Sequence, residues 1–153
     1  MSQTAGKKKT ISWRNVLDRM LFRPKTRFEL KRGLIEKGCR EDVADSLLDE
    51  YQELGLIDDK YYAVLYIYTK KYCGLRRLRD ELRYRGVSGE DIESALEEVG
   101  IDEEQRAIEY AMSICRIEGM TRDKLIGRLE RRGFAYQSIS SVMTQLKYEG
   151  IKL

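Results

Sequence analysis

Leu30-Lys31-Arg32-Gly33-Leu34-Ile35-Glu36-Lys37-Gly38, Leu78-Arg79-Asp80-Glu81-Leu82-Arg83-Tyr84-Arg85-Gly86 and Leu125-Ile126-Gly127-Arg128-Leu129-Glu130-Arg131-Arg132-Gly133 are one pattern written three times. In each copy two Leu and a Gly stand four residues apart, a basic residue precedes the Gly, and Cys39, Val87 or Phe134 follows it as a candidate for burial. Apolar residues four apart share one face of an α-helix, and Gly just past the last turn suits a left-handed C-cap. The copies are offset by 48 and 47 residues. Four residues before the first Leu stand Thr26, Gly74 and Thr121, which read as helix starts, and Thr26-Arg27-Phe28-Glu29 has the form of a capping box. Each copy continues with an apolar helical stretch: Val43, Leu47, Leu48; Ile92, Ala95, Leu96; Ile139, Val142, Met143. Each then closes on a breaker, Gly55-Leu56-Ile57, Gly100-Ile101 or Gly150-Ile151.

Ahead of each copy lies a further helical stretch, Trp13 to Phe22, Asp59 to Tyr72 and Glu103 to Arg116. Their apolar residues recur at threes and fours (Trp13, Val16, Leu17, Met20; Tyr62, Leu65, Tyr66; Ala107, Ala111, Ile114), a helix period. The expected fold is all-α, an elongated curved array of three tandem three-helix repeats. The repeats span residues 12–57, 58–101 and 102–153, after a polar, basic, mobile tail over residues 1–11. One such unit is small for an independent core, so neighbours should pack on one another.

Composition agrees with a helical chain: 36% of the 153 residues are charged and Pro24 is the single proline. The absence of His removes imidazole from any general-base, nucleophile-pair or metal chemistry. No P-loop, dinucleotide fingerprint or paired-Cys spacing occurs, and the carboxylates lie in runs that single out no acid–base pair. The chain is therefore expected not to be an enzyme, with no catalytic residue, no metal and no cofactor. No apolar run approaches the roughly 20 residues of a membrane span, and Met1 to Thr10 lacks an apolar leader core. Three scattered cysteines, Cys39, Cys73 and Cys115, suggest free thiols in a reducing, cytoplasmic setting, with Cys73 the reactive one if exposed.

Charge is distributed in blocks: +8 over residues 1–37, −7 over 38–59, +6 over 60–88, −8 over 89–105 and +4 over 106–153. The middle helix of each repeat is basic. Repeat 1 carries Lys25, Arg27, Lys31, Arg32 and Lys37; repeat 2 carries Arg76, Arg77, Arg79, Arg83 and Arg85, preceded by Lys70 and Lys71; repeat 3 carries Lys124, Arg128, Arg131 and Arg132. In a translational array these form a stripe, the footprint of a polyanion or an acidic protein groove. The helices that follow are acidic in the first two copies (Glu41, Asp42, Asp45, Asp49, Glu50; Glu90, Asp91, Glu93, Glu97, Glu98) and form an opposing stripe. The alternative is that both are solvated faces pairing across adjacent helices. Five of the ten tyrosines fall in residues 61–72. Tyr62 and Tyr66 are assigned to the core, while Tyr68 and Tyr72, beside Lys70 and Lys71, are equally candidates for core and for partner contact. Lys7, Lys8 and Lys9 add a short basic tail.

The stretch Arg27-Phe28-Glu29-Leu30, Leu34, Lys37-Gly38, Gly55-Leu56-Ile57-Asp58-Asp59 and Tyr62-Ala63 resembles the RecX family. The likeness continues through Gly74, Arg77-Leu78-Arg79, Glu81-Leu82, Gly86-Val87, Ile92 and Ala95-Leu96 to Leu129 and Arg132-Gly133-Phe134, covering roughly residues 13–148. The resemblance implies a bacterial, cytoplasmic, monomeric regulator that binds the RecA recombinase and its DNA filament. Such a regulator modulates strand exchange and ATP hydrolysis, usually by inhibition, in recombination, DNA repair and the SOS response. It also implies that Leu30, Leu78, Gly38, Gly86 and Asp59 are scaffold rather than contacts. The basic surface is left to serve RecA, DNA or both. A helical module that binds single- or double-stranded DNA without RecA is the alternative, since paired helices joined by a Gly turn also suit DNA.

Overall fold

The structure is a computed structural model that describes residues 11–153, so the Lys7 to Lys9 tail lies outside the described residues. Among these residues there are nine α-helices and no strand: α1 (Trp13–Met20), α2 (Arg27–Glu36), α3 (Glu41–Glu53), α4 (Asp59–Thr69), α5 (Leu75–Tyr84), α6 (Gly89–Val99), α7 (Glu103–Ile114), α8 (Arg122–Arg131) and α9 (Tyr136–Tyr148). The all-helical class read from the spacing is the class observed. The chain forms two compact units, divided between Asp58 and Asp59.

In the first unit α1 and α3 both pack on α2. Leu17, Leu30, Leu34, Ala44 and Leu48 are fully buried between them, with Cys39, Tyr51 and Ile57 closing the cluster. Burying a Leu side chain contributes about 1.5–3 kcal/mol, so this small core rests on a handful of positions at helix spacing. Thr26 caps α2, its hydroxyl accepting from the Glu29 N–H at 3.2 Å. Val43 departs from expectation. It is exposed, because α3 turns Ala44, Leu47, Leu48 and Tyr51 inward and leaves Val43 on the flank.

The second unit holds two core clusters. One unites Ala63 and Ile67 of α4, Leu78 and Leu82 of α5, and Ile92 and Ala95 of α6. The other unites Ala107, Tyr110 and Ala111 of α7, Leu125 and Leu129 of α8, and Val142 and Leu146 of α9. Leu65 of α4 was read as apolar periodicity but faces out, since Ala63, Tyr66 and Ile67 form the inner face. The residues after the motif glycines, Cys39, Val87 and Phe134, are buried, each N–H returning to the second motif Leu carbonyl at 3.0, 3.0 and 3.2 Å.

The first helix of each trio is shorter than its apolar periodicity predicts. The predicted stretches run to Phe22, Tyr72 and Arg116; the helices end at Met20, Thr69 and Ile114. For α4 the cause is visible. The Arg106 guanidinium, from α7, donates to the carbonyls of Lys70 (3.0 Å) and Ile67 (3.3 Å), satisfying groups that the next helical turn would have used. Burial lowers the Arg106 pKa from its usual value. The chain past Thr69 then drops Tyr72 onto Tyr110, ring centroids 5.5 Å apart, and Cys73 into the core. Each of the three clusters holds one buried thiol, so the exposure that would make Cys73 reactive is not met.

Backbone meets backbone between the two trios of the second unit. Gly74 precedes α5 and donates its N–H to the Arg132 carbonyl at 2.8 Å. A Cβ on Gly74 would lie 2.4 Å from the Gly133 oxygen. Gly133 has φ +85°, and a Cβ there would lie 2.4 Å from Arg77 Cβ. Thr26 and Thr121, at the matching position of the other trios, cap their helices with side chains. Gly74 has no side chain to offer, and Glu103 of α7 replaces it, Oε1 accepting from the Leu75 N–H at 3.0 Å and Oε2 from the Ser138 hydroxyl at 2.9 Å. Arg76 and Arg77 complete the exchange by donating to the Glu130 (2.6 Å) and Arg131 (3.5 Å) carbonyls at the end of α8. This junction is held by each trio closing the other's helix ends.

Candidate partner-binding surface

The basic residues singled out by sequence divide by what lies beside them. On α2, Lys31 Nζ stands 2.9 Å from Asp45 and 3.0 Å from Glu41, and Arg27 stands 2.6 Å from Asp49. The hydrogen bonds that Lys31 donates to Asp45 and Glu41 raise its pKa. On α5, Arg79 pairs with Glu93 of α6 at 2.7 Å and Arg77 with Glu81 at 2.8 Å, while Arg83 reaches only 3.9 Å to Asp80. Arg79 holds the Glu93 carboxyl below its usual range through the same hydrogen bond. The acidic helices thus pair with the basic ones inside the first two trios. These pairs are partly exposed to solvent, which screens them.

Around Tyr66 the aromatic and basic residues meet. Arg85 lies 5.0 Å and Lys70 5.5 Å from the Tyr66 ring centre, and the Tyr66 hydroxyl donates to Glu81 in a short hydrogen bond. Burial first, then that bond to a carboxylate, pushes the Tyr66 pKa up to about 12. Burial works to raise Glu81, but hydrogen bonds from Tyr66 and Arg77 outweigh it and hold the carboxyl below its usual range. Tyr62 is half-buried and stacks on Tyr66, centroids 6.2 Å apart. Tyr68 is 63% exposed, whereas Tyr72 is half-buried against Tyr110 with Lys71 5.2 Å above its ring.

The third trio differs. Lys124, Arg128 and Arg131 stand at helix spacing on the exposed side of α8, and among the described residues none forms an ion pair. Lys124 donates only to the Gly119 carbonyl, at 3.2 Å. Arg132 lies over the Tyr110 ring, 4.8 Å from its centre. The position that faces the following helix, Lys31 in α2 and Arg79 in α5, is Ile126 in α8, and that following helix, Tyr136–Tyr148, contains no Asp or Glu, where α3 and α6 are rich in both. Next to α8, between the start of α5 and α9, lies a groove of about 610 Å3 with Ile126, Phe134, Ile139 and Met143 among its lining and Arg76, Arg79 and Arg122 at its edge.

Sequence reasoning named the basic residues but missed Glu103, Arg106 and the groove. The available signal was Gly74, a Gly where two aligned copies place Thr, which marks a close approach. Among the described residues no cluster of three His, Cys, Asp or Glu side chains is placed to hold a metal, and no helix is long and apolar enough to cross a membrane.

No protein-family model matches the chain. A "Regulatory protein RecX" of Mycolicibacterium vanbaalenii is 33% identical over 139 residues, covering 80% of this chain and 74% of that protein. One of Mycolicibacterium smegmatis is 36% identical over 146 residues, covering 83% and 77%. The crystal structure of RecX from Lactobacillus salivarius matches with a TM-score of 0.76 at 22% identity, over 89% of this chain and 94% of that one. A second crystal structure of a regulatory protein RecX matches with a TM-score of 0.73, also at 22% identity, over 86% and 70%. The fold, the order of the motifs and these relatives together place one conclusion on the chain: it belongs to the RecX family of regulatory proteins.

Proposed function

We propose that this protein binds RecA and the RecA–DNA filament and lowers strand exchange and ATP turnover, acting as a monomeric, cytoplasmic, non-enzymatic regulator in recombination and repair. Family membership supports the RecA reading. The observation that carries the choice of surface is the α8 face, where Lys124, Arg128 and Arg131 lack the carboxylates that neutralise the corresponding helices. Unmatched cations attract a polyanionic assembly and lose little on being covered. Lys70, Lys71, Arg76, Arg77, Arg79, Arg83, Arg85 and Arg132 are the further basic contacts of this reading, with Tyr68 as the exposed aromatic contact. A regulator of this kind acts by binding one filament state better than another, so that subunits held together resist the motion that turnover requires.

The test is RecA's DNA-dependent ATP hydrolysis, with the protein titrated onto preformed filaments. Turnover should fall at substoichiometric ratios. An Arg128→Glu/Arg131→Glu variant with an unchanged helical circular dichroism signal should lose the effect. Unaltered inhibition by that variant would overturn the surface assignment. The second reading, DNA binding without RecA, rests on the same cations. It calls for RecA-independent affinity whose log–log salt dependence falls by about 0.9 for each phosphate neutralised on duplex DNA. Unchanged ATP turnover together with such binding would favour it.

A further inference from the structure

At the groove beside α8 a repeated ion pair is missing. The residue after the first motif Leu and the residue seven past the motif Gly are paired twice, as Lys31–Asp45 (2.9 Å) and Arg79–Glu93 (2.7 Å). In the third trio the same two positions are Ile126 and Ser140. Both line the groove, and no charged bridge closes α8 onto α9 at that point. The floor is apolar, from Ile126, Phe134, Ile139 and Met143.

The rim is cationic where it is unmatched. Arg79 already faces Glu93, and both oxygens of Glu103 are engaged by Leu75 and Ser138. Arg76 donates one amino group to the Glu130 carbonyl and, among the described residues, has no carboxylate partner; Arg122 has neither there. Two carboxylates share the lining, Glu103, engaged as just described, and Glu130. An apolar slot flanked by two arginines without carboxylate partners matches an acidic peptide that carries an apolar side chain, because Arg binds carboxylates bidentately and the slot desolvates the anchor.

We propose that the groove bounded by α5, α8 and α9 is a docking site for an acidic peptide segment of the partner, inserting one apolar anchor between Ile126 and Met143 and placing carboxylates on Arg76 and Arg122. This rests on the reading of the protein as a partner-binding regulator, and it names a site on a face distinct from the Lys124–Arg128–Arg131 pocket.

The experiment uses the full chain and a fluorescein-labelled peptide with a Leu-Phe anchor flanked by Asp-Glu pairs, followed by fluorescence anisotropy. Three competitors are titrated: the same peptide with Lys for the acids, the acidic peptide without its anchor, and a single-stranded oligonucleotide. The probe should bind saturably, and only its unlabelled acidic, anchored form should displace it. Arg122→Glu should weaken binding by about tenfold, since it turns an Arg–carboxylate contact into one between like charges. Ile126→Arg with Ser140→Glu, which rebuilds the ion pair of the other trios across the groove, should abolish it with the circular dichroism unchanged. Absent binding, equal binding to both variants, or displacement by the oligonucleotide alone overturns the site. RecA ATP turnover separates the two levels. If wild type inhibits RecA and both groove variants inhibit equally, the groove proposal fails and the regulator stands. If wild type leaves RecA untouched while the peptide binds as described, the RecA reading fails and the site stands.

Discussion

Replacing Gly74 by Ala should weaken the second unit more than any other single methyl added at a glycine outside the left-handed region. Gly74 has φ −77° and ψ 169°, extended backbone open to any residue, so the substitution carries no dihedral cost. Its cost is contact. The new Cβ would lie 2.4 Å from the Gly133 oxygen and 2.5 Å from both the Gly133 carbon and the Phe134 nitrogen, all backbone atoms. Relief requires the strands of chain to part by roughly 1 Å, which would stretch the 2.8 Å Gly74 N–H to Arg132 bond past usefulness. Overpacking of this kind costs about 1–3 kcal/mol and the lost bond about 1 kcal/mol, while a stiffer unfolded chain returns about 0.4–1 kcal/mol. The net is about 1–4 kcal/mol, a fall in Tm on the order of 10 °C for a unit of this size. Gly100→Ala and Gly133→Ala bracket it. At Gly100 the backbone is left-handed (φ +65°) but the nearest atom is 4.0 Å away, so only the backbone cost of about 1 kcal/mol applies. Gly133 combines φ +85° with Arg77 Cβ at 2.4 Å and should be worst. Urea unfolding followed by circular dichroism should rank the losses as Gly100, Gly74, Gly133. If Gly74→Ala costs no more than Gly100→Ala, the close approach is not what positions these helices.

Other outcomes follow from the same contacts. Glu103→Ala should cost about 1–3 kcal/mol by leaving the Leu75 N–H and Ser138 unpartnered, and adding Ser138→Ala to it should cost little more, a non-additivity read from the same unfolding curves. The Tyr66 hydroxyl titrates near 12 in the folded chain against 10.0 for the free group, so the folded state holds that proton more tightly. Its stabilisation is complete below pH 10.0 and is lost as pH rises through about 12; Tyr66→Phe should flatten that alkaline limb of Tm against pH. Arg128→Glu/Arg131→Glu breaks no ion pair and should cost only what two reversed charges in the last turn of α8 cost, about 1 kcal/mol, whereas Arg79→Glu breaks the pair with Glu93 and sets two like charges together there, which should also lower the melting temperature.

The helices were legible because their signal is local: Leu and Gly spacing, Thr caps and glycine breakers all act within a few residues. The buried residues after the motif glycines were legible for the same reason. Helix ends were not, since Arg106 stops α4 from 36 positions away. The basic residues were readable as types, but their state of neutralisation depends on the facing helix. Arg79 and Arg128 look alike in sequence, and only the packing shows that one pairs with Glu93 while the other forms no ion pair among the described residues. Val43 and Leu65 were misplaced because two apolar residues a turn apart define a face only to within one position, and neighbouring Ala44 and Ala63 are small enough to take the tightest contact.

The three thiols give this chain a built-in reporter. Cys39, Cys73 and Cys115 each lie in a different cluster, each is buried, and burial raises the Cys39 pKa further from reactivity. A thiol reagent can therefore modify each cysteine only after its own cluster opens, and mass-spectrometric timing of the three adducts would give three local opening free energies from one unmutated sample. Partner binding that covers α8 should slow the Cys115 adduct first and leave that of Cys39 as the internal clock.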